Sequence, residues 1–122
     1  FEEHIDWATI VSSANLEEHR NERIRVCGWL VTSRRVATSS RRYMKFLTLE
    51  DRFGLCEVVM FPEVYEQYGH LVRTHGPYIV TGKLQSRLPG EANIIAEKVQ
   101  LVEMQKNEIE HLLMKKQPLE WG

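Results

Sequence analysis

Phe46 to Pro62 reads F-L-T-L-E-D-R-F-G-L-C-E-V-V-M-F-P, and the fold turns on how this stretch is read. Leu47 and Leu49 alternate with Phe46, Thr48 and Glu50, a period of two. Cys56, Val58 and Met60 then alternate with Leu55, Glu57, Val59 and Phe61. Asp51 and Gly54 lie between the two runs. Asp bonds its own backbone and Gly accepts positive φ, so this is turn chemistry. The spacing predicts two β-strands in a hairpin, ended by Pro62, which suits the first turn of a helix. One face is small and aliphatic. The other mixes aromatic, hydroxyl and charged groups, and is either water-facing filler or a binding platform.

Before the hairpin, a strand is predicted from Arg23 to about Val36, with Ile24 and Val26 on one side and Arg25 and Cys27 on the other. Gly28 interrupts it, as at a barrel corner, and leaves the parity of Trp29, Leu30 and Val31 open. Ala37 to Arg42 is a polar, basic loop. After the hairpin, Val64, Tyr65, Tyr68, Leu71 and Val72 recur at helical spacing, predicting a helix from Pro62 to about Val72. Gly76-Pro77 stops it. Strands follow at Tyr78 to Ser86 and Ala92 to Val102, separated by a Pro89-Gly90 turn, and then a helix over 104–117. The expected division is an approach arm over 1–22, a domain over 23–103 and a helix with tail over 104–122. Three strands, a short helix and two strands is the order of the OB-fold. That fold is an all-β, five-stranded, partly open Greek-key barrel.

The chain has 122 residues, 43% hydrophobic and 27% charged, with a net charge of −1. That suits one soluble domain. No apolar run approaches the roughly 18 residues of a membrane span, and the acidic start lacks the basic and apolar regions of a signal peptide. A chain opening on Phe1 reads as a module of something larger, expected in the cytoplasm. A near-neutral chain is not a strong autonomous phosphate binder, but local charge still matters. Arg34, Arg35, Arg41, Arg42 and Lys45 fall within 12 residues that contain no acid, whereas Glu2, Glu3, Glu17, Glu18, Glu103, Glu108 and Glu110 lie towards the ends. Cys27 and Cys56 match no zinc spacing and read as small buried hydrophobes. The five histidines are scattered, so no metal site is expected. Glu50 and Asp51 point to opposite faces of a strand, and no nucleophile–base pair appears. Neither catalytic residues nor a cofactor are expected.

Leu47 to Gly54 (L-T-L-E-D-x-x-G) and Glu57 to Tyr68 (E-V-V-M-F-P-E-V-Y-E-Q-Y) resemble the OB domain of the bacterial DNA polymerase III alpha subunit. Ile24 to Gly28 (I-R-V-C-G), Tyr78 to Gln85 (Y-I-V-T-G-K-L-Q) and Ile95 to Val99 (I-A-E-K-V) fit the same pattern in order, so the likeness covers about residues 16 to 103. It implies a module near the C-terminal end of a large polypeptide whose polymerase site lies in other domains. The implied partners are single-stranded DNA, the other domains of the alpha chain, and sliding-clamp or clamp-loader subunits. R-V-C-G-W-L with R-R, then F-L-T-L-E-D-R-x-G, is also similar to the anticodon-binding OB domain of class II aminoacyl-tRNA synthetases, where a stacking Phe matches Phe46. F-P-E-V-Y-E is not expected there, so that likeness ranks second. A protein-interaction module within a replisome is the third reading, and suits the near-neutral charge.

An OB-fold binds through the outer face of strands two and three and the adjoining loops. Phe46 is the first candidate, as a stacking platform, unless Trp7 or Leu112 covers it. Arg34, Arg35, Arg41, Arg42 and Lys45 would track phosphates, or form a solvated loop. Tyr43 is a second platform or a packing residue. Thr48 shares the face of Phe46. Glu57 is a surface charge or an acceptor for a base amine such as cytosine N4. Lys83 and Arg87 are outlying cations, and Tyr65 and Tyr68 pack the helix on the barrel. Gln117 to Trp121 (Q-P-L-E-W) faintly resembles a clamp-docking peptide.

Overall fold

The alternation in 46–60 is realised as two neighbouring strands of a closed barrel. A computed structural model describes residues 9–86 and 92–102. Its strands are β1 (Arg23–Ala37), β2 (Tyr43–Asp51), β3 (Gly54–Met60), β4 (Tyr78–Gln85) and β5 (Asn93–Leu101), with helix α1 (Pro62–Tyr68) between β3 and β4. They join in the order β1-β2-β3-β5-β4 and close back on β1. β3 and β5 run parallel and the other pairs antiparallel. This is the five-stranded OB barrel expected from the element order. Among the described residues no helix is long and apolar enough to cross a membrane.

Closure depends on β1 serving two partners. Arg23 to Gly28 pair with β4, and Trp29 to Ala37 pair with β2. The handover falls at Gly28, where a Cβ would lie 2.8 Å from the Glu50 carbonyl oxygen. Any side chain there would push the two strands apart, which is why a glycine stands at the corner. Two residues later the register slips. Leu30 faces Leu49, but Thr32 faces Thr48, so Val31 is one residue too many for β2. Such a bulge reverses the parity of everything after it.

Inside, Leu47, Leu49, Val58, Met60, Val80, Leu84, Ile94 and Val99 are buried, with Tyr78 fully so. A buried phenol needs hydrogen-bond partners. The Tyr78 hydroxyl accepts from the Thr74 amide at 3.1 Å and reaches the Thr74 carbonyl at 2.9 Å. Cys27 and Cys56 are free and buried, and burial pushes both thiols up to about 12.

The helix ends sooner than its periodicity suggests. α1 stops at Tyr68, and Gly69–Leu71 form a 3₁₀ turn, the tighter winding common where a helix gives out. Val64, Tyr65 and Tyr68 pack against the core. Upstream, Ser13–His19 form another 3₁₀ segment, which buries Leu16. Asp51 anchors it. Ser13 donates its amide to Asp51 Oδ2 at 2.8 Å and its hydroxyl to Oδ1 at 2.7 Å. Oδ1 also accepts from the Phe53 and Gly54 amides, closing the expected turn. Residues 1–8 of the expected 1–22 arm, the Pro89-Gly90 turn, the 104–117 helix and the Gln117–Trp121 tail lie outside the described residues, as do Arg87 and Leu112.

Candidate nucleic-acid interface

Directly opposed residues in antiparallel strands share a face, so the register assigns each candidate to a side. The outer face of the sheet carries four rows of pairing, the first joining Trp29 to Glu50 and Glu50 to Leu55. Arg34 faces Phe46, which faces Val59; Thr32 faces Thr48, which faces Glu57; Val36 faces Met44. The other parity holds Arg35 against Lys45 and Ala37 against Tyr43. Without the bulge at Val31, Ser33 would stand opposite Phe46, Arg35 would move to this face opposite Met44, and Arg34 would turn away opposite Lys45.

On the outer face Phe46 lies under an arginine. The Arg34 guanidinium lies 4.9 Å from the centroid of the Phe46 ring, within cation–π reach. Arg34 is exposed and Phe46 half-buried. The ring is therefore already stacked, and the face presents a guanidinium–phenyl pair. Thr48 donates its hydroxyl to Glu57 Oε1 at 3.0 Å. Thr32, Val59 and Ile95 also belong to this face. The side of Val59 follows from its alternation with Val58 and Met60, whereas those of Thr32 and Ile95 depend on the bulge and on the parallel β3–β5 pairing.

The opposite parity faces α1. The Arg35 guanidinium lies 4.4 Å from the Tyr43 ring centroid, and Lys45 Nζ lies 5.9 Å from that of Tyr65. Arg42 clamps α1 directly: Nε and Nη2 each donate to the Glu66 carboxylate at 2.9 Å. The two shift each other in opposite senses. Arg42 holds the Glu66 carboxyl below its ordinary range, and Glu66 raises Arg42. The basic loop is tightly wound rather than loose. The Thr38 amide donates to the Arg42 carbonyl at 2.7 Å, and Arg41 takes the left-handed conformation at φ +67°. Arg41 is exposed at this turn.

Of the cations expected to line one groove mouth, Arg34 is thus the member on the face of Phe46. Arg35 and Lys45 lie on the helix side with Tyr43, and Arg42 is engaged by Glu66. Lys83 is exposed on β4, in the row that runs from Phe46 through Val59 and Ile95. It stands three strands from Phe46, beside the exposed Arg23–Glu97 ion pair of 2.7 Å. Among the described residues no group of three or more His, Cys, Asp or Glu is placed to hold a metal ion.

Comparison with known proteins gives a consistent family. The profile described as an OB-fold nucleic acid binding domain matches residues 24–102. An error-prone DNA polymerase of Symbiobacterium thermophilum is 32% identical over 89 residues, 71% of this chain and 8% of that protein. The DNA polymerase III subunit alpha of Halalkalibacterium halodurans is 32% identical over 101 residues, 82% of this chain and 9% of that protein. The chain spans less than a tenth of the length of these curated relatives. They are the relatives that the Leu47–Tyr68 motifs resemble. Among solved structures, asparaginyl-tRNA synthetase from Pyrococcus horikoshii superposes with a TM-score of 0.63 at 24% identity, over 77% of this chain and 23% of that one. A domain of replication protein A from Methanococcus maripaludis gives 0.56 at 19% identity, over 69% and 87%. At such identities these two likenesses speak for the fold alone.

Proposed function

The chain belongs to the OB-fold nucleic acid binding domain family, and we propose that its groove face holds single-stranded DNA near the active site of a polymerase III-type alpha chain. The observation that carries this reading is the Arg34–Phe46 pair, which the register sets on the outer face of β1 and β2. Bases stack on aromatic rings and on guanidinium planes, and the free edge of Arg34 offers donors to phosphate. The names of the relatives, error-prone DNA polymerase and DNA polymerase III subunit alpha, favour DNA over RNA as the strand.

Stacking and phosphate contacts carry little sequence information. Few cations face the groove and the net charge is −1, so the isolated domain binds weakly and loses affinity with salt. In a longer chain, tethering beside the polymerase raises the effective strand concentration and makes weak binding sufficient. The other domains of that chain, and through it sliding-clamp or clamp-loader subunits, are the proposed protein partners.

Fluorescence anisotropy of a labelled mixed-sequence single strand against the 122-residue chain tests the reading. The expected result is binding at low salt that weakens with added salt and drops in Phe46→Ala. Tighter binding to a short tRNA stem-loop than to any single-stranded DNA would move the assignment to an anticodon module. No binding to either nucleic acid at low salt would overturn it in favour of a protein-interaction role.

A further inference from the structure

Beside the stacking pair sits a feature that an indifferent phosphate-tracking groove has no use for. Glu57 is exposed on the groove face, diagonal to Phe46. Diagonal neighbours across a strand pair are about 7–8 Å apart, within reach of long side chains and of a base seated between them. A free carboxylate here repels phosphate. This one is not free to swing, because the Thr48 hydroxyl donates to its Oε1 at 3.0 Å. That bond uses the hydroxyl proton and leaves acceptor capacity facing the groove. Oε2 has no hydrogen-bond partner among the described residues, and an ionised carboxylate only accepts.

We propose that Glu57, oriented by Thr48, selects the base seated on the Arg34–Phe46 pair by accepting from its exocyclic amine. Cytosine, adenine and guanine are therefore favoured over thymine at that one position. The inference rests on the groove being a single-strand site. Its chemistry follows from the base edges. Cytosine offers N4–H₂ and adenine N6–H₂. Guanine offers N1–H and N2–H₂ side by side. The single Watson–Crick donor of thymine, N3–H, is flanked by two carbonyl oxygens, which face a carboxylate unfavourably. Single strands leave these edges open to side chains. The remaining groove-face contacts, to rings and phosphates, stay indifferent to sequence.

The test compares the affinities of an oligo-dC and an oligo-dT tract of equal length, at pH 8 and low salt, for the wild-type chain, Glu57→Gln and Thr48→Val. Wild type is expected to favour dC by about fivefold to tenfold, the scale of one hydrogen bond to a charged group in a solvent-open site. In Glu57→Gln the amide both donates and accepts, so the ratio falls to about one or reverses, even if both affinities rise as repulsion is removed. Thr48→Val keeps the carboxylate and loses its orientation, so the ratio shrinks without reversing. A wild-type ratio of one, or a ratio unchanged in Glu57→Gln, overturns the selection and leaves the single-strand reading standing. Absence of binding to both tracts overturns both.

Discussion

Each face of the β1–β2 ribbon carries an arginine stacked on an aromatic ring, and the two pairs keep opposite company. On the helix side, Arg35 covers Tyr43, Lys45 approaches Tyr65, and Arg42 is held by Glu66. Cations there are matched by Tyr43 of β2 and by Tyr65 and Glu66 of α1. On the groove side, Arg34 covers Phe46 and no carboxylate pairs with it among the described residues. The lesson concerns charge clusters. Five cations within 12 residues look like one patch in the sequence, but a strand sends successive side chains to opposite faces. The bulge at Val31 then decides which of them meet the groove.

Two adjacent residues of β2 separate the inner and outer sides most strongly. Leu47 is 1% exposed and points inward; Phe46 is half-buried and points outward. Leu47→Ala is expected to lose about 2–5 kcal/mol of stability, with melting temperature falling by about 4–8 °C for each kcal/mol. Phe46→Ala is expected to melt close to wild type and to lose about 1–3 kcal/mol of single-strand affinity. Thermal melts and anisotropy on the same samples decide it. If Phe46→Ala unfolds as readily as Leu47→Ala, Phe46 is a core residue and the groove face has no platform.

A smaller effect separates the two faces by charge. Each phosphate contact on a single strand contributes about 0.7 to the slope of log K against log salt. Arg34→Ala is expected to lower the slope by about that amount. Arg35→Ala combined with Lys45→Ala removes twice the charge from the other face and is expected to leave it unchanged. Equal slope changes from the two variants would show a strand that wraps the ribbon, and the division by face would fail.

Much of this was legible beforehand because the signals are local. Alternation in 46–60 gave strands, Asp51 and Gly54 gave the turn, and Gly28 marked the corner where β1 changes partners. The outward side of Phe46 and Thr48 follows from Leu47 and Leu49 alone. The division of the arginines was not legible. Val31 is an ordinary strand residue, and its bulge exists only as a mismatch with β2 across 17 residues of chain, Val31 to Thr48. The Ser13–Asp51 and Arg42–Glu66 contacts join residues 38 and 24 apart, and no local pattern announces such pairs. β2 begins at Tyr43, before the stretch where hydrophobic alternation starts, because its first residues pair along the extended ribbon rather than across the barrel interior.

The smallest expected effect concerns the pair at the boundary of the two faces. Arg42 and Glu66 are exposed, and such ion pairs contribute little to stability, so Arg42→Ala is expected to lower the melting temperature by no more than a few degrees. The sign of its pH dependence is fixed. Arg42 depresses the Glu66 pKa below 4.5, so the contribution is present above that value and is lost as pH falls through the folded pKa. The small difference between wild type and Arg42→Ala should therefore vanish in acid. Binding gives the sharper test, because Glu66 competes with phosphate for one guanidinium. With the pair intact, Arg42→Ala leaves the salt slope unchanged, whereas Glu66→Gln frees Arg42 and steepens it by up to about 0.7, one further phosphate contact. A slope that falls in Arg42→Ala would mean that the strand already displaces Glu66. The loop would then belong to the groove, and the boundary between the faces would move from the ribbon edge to α1.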